Sequence, residues 1–186
     1  MEKSDFPAEE KKINAYLKLA FLLYLAYFTF ILVTGKLEPI NAFIHNIDLP
    51  IHEFGHLFFG IIFGGQSLMM IAGGSLFQTI FPCILAGSFF FRKDYLGFAV
   101  CSLWVGENLI DVSYYIADAS AREMPLITGD PDTHDWFNIL SELNILQMDT
   151  RIGRVIFFLG SLLMISSLLY AFYVVNKDGK FIEIGK

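Results

Sequence analysis

At 186 residues the chain is sized for a single domain; it is 55% hydrophobic, with 20 Phe and only 17% charged residues. Soluble domains carry about 25% charge, so the composition indicates a membrane-embedded class. A net charge of −6, with no Lys/Arg cluster to face phosphates, excludes nucleic acid as a partner and leaves the lipid bilayer as the expected one.

The expected fold is an all-α, multi-pass integral membrane protein with about five transmembrane helices in one domain (1–186). A span needs about 20 apolar residues, and the first runs from about 16 to 35. Before it stand Glu9, Glu10, Lys11 and Lys12 with no obvious small-residue cleavage site, so this span reads as a retained helix and not a signal peptide. The second span, 39–64, is interrupted by Asn46, Asp48 and Pro50. Either Asp48 caps a helix beginning near Leu49–Pro50, or the helix runs through and kinks at Pro50.

Within this span lies His52-Glu53-Phe54-Gly55-His56. Residues four apart share a helix face, so His52 and His56 can grip one metal ion, Zn2+ being the expected cofactor. Glu53 then projects beside it, where a carboxylate can act as general base toward a water nucleophile. Ile51, Leu57, Phe58, Phe59, Ile61, Ile62 and Phe63 surround the motif, which places the expected metal site in the bilayer.

Gly64-Gly65-Gln66 and Gly73-Gly74 bracket Ser67–Ala72, which is expected to be a short re-entrant or extended segment lining a cavity. The third span is expected at 75–91 and the fourth at 95–117. The polar stretch from Ala119 to Thr150 contains an interfacial amphipathic helix from Thr133, with Trp136, Phe137, Leu140 and Leu143 on its apolar side. The last span is 155–175, followed by a tail rich in Lys and Gly. Cys83 and Cys101 lie alone in apolar segments and read as packing residues. Lys/Arg counts in the flanks are nearly balanced, so orientation stays open.

A catalytic zinc usually has three protein ligands. Glu107, Asp111, Tyr114 and Asp118 follow spacings of four, three and four, one face of the fourth span. Ionised carboxylates at that depth need compensation, which a cation supplies. Asp111 lies deepest with enough reach and is one candidate third ligand; His134, at the start of the interfacial helix, is the other. Asn108 is a candidate substrate-binding residue. His45 lies seven residues before His52, about 10.5 Å along a helix, too far to share the metal.

With these residues in a membrane span, the chain resembles the site-2 protease class of intramembrane zinc metalloproteases, over about residues 39–118. The resemblance rests on His52, Glu53 and His56, the following Leu57-Phe58-Phe59 and the glycine-flanked segment. It implies an endopeptidase acting on membrane proteins, with an embedded loop that pairs with extended substrate and a later span supplying an Asp ligand. Asn108-Leu109-Ile110-Asp111 holds the matching place for that ligand, without the Pro and Gly that the class carries around it. The stretch from Glu107 to Trp136 also resembles a group of small prokaryotic membrane proteins, so a prokaryotic cell membrane is the expected location. Two alternatives stand: a metalloenzyme acting on a lipid-soluble substrate, with Glu107, Asp111, Asp118 and His134 forming a second metal site, and a metal-binding membrane protein without catalysis.

Overall fold

The computed structural model describes residues 8–65 and 67–177; Gln66 and the Lys- and Gly-rich tail lie outside the described residues, as do the side chains before Ile13. Six α-helices account for nearly all of it: α1 (Ala8–Val33), α2 (His45–Phe63), α3 (Leu68–Phe91), α4 (Tyr95–Ala117), α5 (Asp135–Glu142) and α6 (Asp149–Lys177), with no strand among the described residues. Single 3-10 turns at Pro39–Asn41, Pro131–Thr133 and Leu146–Met148 lead into α2, α5 and α6.

Four stretches are long and apolar enough to cross a membrane: Ile13–Val33, Leu68–Phe91, Tyr95–Ala117 and Leu146–Lys177. Their outward faces carry large apolar side chains such as Tyr27, Ile84 and Phe158, each more than half exposed. In water such a surface would be an aggregation liability, whereas hydrocarbon solvates it. The fold is consistent with a multi-pass membrane protein.

The expected fifth crossing is not among these four. α2 begins at His45 instead of residue 39, because Pro39–Asn41 forms a separate turn. Its 19 residues rise about 28 Å, close to the hydrocarbon thickness, but Asn46, Asp48, Glu53 and two histidines dilute its apolar character. Asp48 is not a cap: it lies in the first turn, and the helix runs through Pro50. The expected extended segment is also corrected. Residues 68–74 form the first two turns of α3, started by Ser67, whose hydroxyl accepts from the Met70 amide at 3.1 Å. Gly73 and Gly74 therefore serve helix packing instead of ending a loop.

That packing brings α2 and α3 into backbone contact. A Cβ on Gly55 would lie 2.3 Å from the Gly73 carbonyl oxygen, and one on Gly73 would lie 2.8 Å from that of Gly55. Small residues permit such crossings where lipid offers no hydrophobic drive for association. α4 is the central helix, packed between α3 and α6, with Gly106 against Gly160 and Gly153 against Ser113 at equally close range. Leu103 and Ile110 of α4 join Leu22, Leu25 and Leu32 of α1 and Met164 of α6 in the main core. α5 lies across one end of this bundle.

Candidate metal centre

α2 presents His52 and His56 on one face toward α3 and α5, with ring centroids 4.8 Å apart. Together with Glu53 they form a cluster whose ligand atoms all lie within 4.8 Å of one another. The three line a cavity of about 570 Å³, whose walls also include Met70, Gln78, Asp111, Tyr115 and the segment from Met124 to Thr128.

The hydrogen bonds behind the histidines fix their tautomers. The Asp111 carboxylate can only accept, so the Gln78 Nε2 beside its Oδ2 at 2.8 Å donates. The amide is thereby oriented, and its Oε1 accepts from His52 Nδ1 at 3.0 Å. In the same way His56 Nδ1 donates to the Met70 carbonyl at 2.9 Å. In the neutral imidazoles both Nε2 lone pairs are then free, and each meets Asp135 Oδ2, at 3.0 Å from His52 and 3.2 Å from His56. Two imidazole nitrogens and a carboxylate oxygen converging on one point call for positive charge among them, supplied by protons on the rings or by a metal cation. Ring nitrogens held from behind by an amide and a carbonyl are a common arrangement for metal-ligating histidines.

Gly74 completes the cradle. A Cβ there would stand 2.4 Å from His52 Nε2 and 2.6 Å from His56 Nε2, so a side chain would fill the space between the two ligand atoms. Two imidazoles and a carboxylate, with a glycine clearing the space in front, fit zinc by donor chemistry.

Asp135 was not foreseen as a site residue. It is the first residue of α5, and α5 is anchored at three points. His134 caps it, Nδ1 accepting from the Phe137 amide at 3.2 Å. The Asp135 amide donates to the Tyr115 hydroxyl at 3.0 Å, and the Trp136 indole donates to Ser75 Oγ at 3.1 Å. When no ion is bound and the two rings are protonated, burial raises the Asp135 carboxyl, but hydrogen bonds and charge from His52 and His56 outweigh it and hold the group below its ordinary range. Burial also holds the His134 imidazole below its usual value, with Asp118 opposing.

The remaining candidates separate. Asp111 lies on the cavity wall but is engaged by Gln78 and by His45, whose Nδ1 is 3.2 Å from both its oxygens. His134, fully buried, directs Nε2 at Asp118 Oδ2, 3.3 Å away, and not at the α2 histidines. Asp118 also accepts from the Glu123 and Met124 amides, ordering the loop that leads to α5. Asn108 is fully buried, bonded to Asp48 and the Trp104 carbonyl, and does not line the cavity. Tyr114 packs on Phe157 of α6, away from the site. Glu107, buried beside Asp48, is a fourth separate case, so the expected stripe on α4 does not converge on one site.

No protein-family model matches the chain. No curated protein or solved structure is significantly similar to it either.

Proposed function

We propose that this cavity is the active site of a membrane-embedded zinc hydrolase that cleaves peptide bonds of membrane proteins. His52, His56 and Asp135 would hold the ion, with Glu53 as general base. The observation that carries the reading is the convergence of two Nε2 atoms and one carboxylate oxygen beside the cavity-facing Glu53. When bound, zinc would supply Lewis acidity, making water acidic enough to ionise near neutral pH and polarising the scissile carbonyl. Glu53 needs no role in binding. Exposed to the cavity and lying beside both histidines, it is placed to take the proton from the nucleophilic water and pass it to the leaving amine, a service worth about 10²–10⁴ in rate. Gln78 and the Met70 carbonyl hold the imidazoles in the binding tautomer, and Tyr115 holds the Asp135 backbone.

A second reading is favoured by one observation. With Leu68–Ala72 helical, no strand edge stands beside the site among the described residues to pair with an unwound substrate. The walls are largely apolar, including Leu49, Ile71, Val112 and Leu126, and the volume falls within the range of small-molecule pockets, about 300–1,000 Å³. A hydrolase acting on a lipid-soluble ester or amide would use the same residues. Purified protein in liposomes, offered either a transmembrane peptide or an acyl ester and amide series with and without added zinc, separates the two. Metal-dependent cleavage of the peptide that Glu53→Gln abolishes is the expected result. Cleavage of the small amphiphiles alone would move the assignment to the second reading, and zinc-independent cleavage would refute both.

A further inference from the structure

Behind the cavity, α2 and α4 bury two further carboxyl groups that the proposed chemistry does not use. Asp48 is fully buried, and Glu107 is 1% exposed. Their side chains face each other within hydrogen-bonding reach. Asp48 Oδ1 accepts from the Trp104 indole at 2.8 Å and from Asn108 Nδ2 at 3.3 Å, and the same amide nitrogen lies 3.4 Å from Glu107 Oε2. The other oxygens, Asp48 Oδ2 and Glu107 Oε1, have no partner, and neither has Asn108 Oδ1.

Among the described residues, the surrounding elements place no cation in hydrogen-bonding contact with either carboxyl. α2 offers His45, which is hydrogen-bonded to Asp111 and acts on Asp48 only through charge at longer range; α4 adds the further carboxylate Asp111. α3 contributes the neutral Gln78, and α1 contributes Tyr24 beside Glu107 in a small apolar cavity. The groups that hydrogen-bond to the pair, the Trp104 indole and the Asn108 amide, are uncharged. Two ionised carboxylates in contact, buried at membrane depth, would repel each other without screening.

We propose that Asp48 and Glu107 form a proton-binding site, holding a single exchangeable proton between them at neutral pH. The proton is shared between the two carboxyls, one donating and the other accepting. Trp104 Nε1 and Asn108 Nδ2 donate to the charge that remains. A metal cation is the poorer occupant, because Asn108 turns its donor nitrogen toward both carboxyls and not its oxygen. The site is stacked about one helical turn from the His45–Asp111 pair, since Asp48 follows His45 by three residues and Glu107 precedes Asp111 by four. It involves neither the proposed zinc ligands nor turnover.

Infrared spectroscopy of the full-length protein in nanodiscs at neutral pH tests this without metal or substrate. The expected spectrum contains the carbonyl stretch of a protonated carboxylic acid, shifted down in D2O. Isotopic labelling of the Asp or Glu side-chain carboxyls in the wild-type protein assigns the band without any substitution, and the expected shift appears with one or both labels. Glu107→Gln and Asp48→Asn should each abolish it, while Glu53→Gln should leave it unchanged. Absence of a protonated-acid band in the wild-type protein would overturn the proposal. So would a band unaffected by both substitutions, or one that disappears when sodium or calcium is added at constant pH.

Discussion

Gly74→Ala isolates the metal cradle from the stability of the fold. In a helix interior, alanine is favoured over glycine by roughly 0.5–1 kcal/mol, so on propensity alone the change is stabilising. The added Cβ, however, would stand 2.4 Å from His52 Nε2 and 2.6 Å from His56 Nε2. To reach an ordinary contact of about 3.4 Å, each ring would have to withdraw by nearly 1 Å. Metal–ligand distances tolerate only about ±0.2 Å. The rings are also held from behind by Gln78 and the Met70 carbonyl, so retreat breaks those bonds as well. Zinc affinity, measured in detergent by competition with a chromophoric chelator, should therefore fall by more than the 10–100-fold typical of losing a group behind a ligand. Helix content by circular dichroism should stay unchanged. Gly87→Ala, on the same helix with nothing within 4 Å of its added Cβ, is the control and should bind zinc normally. Wild-type affinity in Gly74→Ala would show that the metal does not sit between these two nitrogens.

Asp135→Ala should lose most of the zinc, whereas Asp111→Ala and His134→Ala should lose much less; the reverse order in the same chelator assay would return the third ligand to one of the residues legible in sequence. Gln78→Ala should weaken zinc by about 10–100-fold by freeing the His52 ring, and an unchanged affinity would remove Gln78 from the site. Glu53→Gln should keep the metal and reduce turnover by about 10²–10⁴, so retained turnover would exclude Glu53 as the base. The last expectation concerns pH. Capping α5 requires an unprotonated His134 Nδ1, and burial holds that ring below its ordinary value of 6.5. The unfolded state then binds the proton more readily, so His134's contribution is complete above about pH 6.5 and is lost as the pH falls through that value toward the folded one. His134→Asn retains a capping oxygen and should lessen the acid loss of α5 docking, read from Trp136 fluorescence. Identical acid profiles for the two proteins would refute that link.

The helices were legible because hydrophobic run length decides them, and α1, α3, α4 and α6 all lie within reach of their expected positions. The errors came where local signals compete with packing. Gly73-Gly74 looks like a chain break, but lipid-embedded helices use glycine for close approach. There Gly73 meets Gly55, and Gly74 clears the His52 and His56 Nε2 atoms. Pro50 likewise sits inside α2, whereas Gly64, with φ of 86°, does end that helix as its position suggests.

The metal motif was visible because its two histidines are four residues apart on one helix. Asp135 was not, since 79 residues separate it from His56 in the chain and only the folded loop brings it back. Its neighbour His134 attracted attention as the better metal-binding residue type. In the structure that histidine caps α5 and bonds to Asp118, work that aims the adjacent carboxylate at the site. Gln78, a lone amide in an apolar span, carried a signal that was not used: polar side chains inside membrane helices are there for a partner. Its two partners, Asp111 and His52, place an acidic residue of α4 near the motif without making it the group that meets the two Nε2 atoms. The polarity of α4 and the motif on α2 are therefore coupled through α3, a link that spacing along any single helix does not reveal.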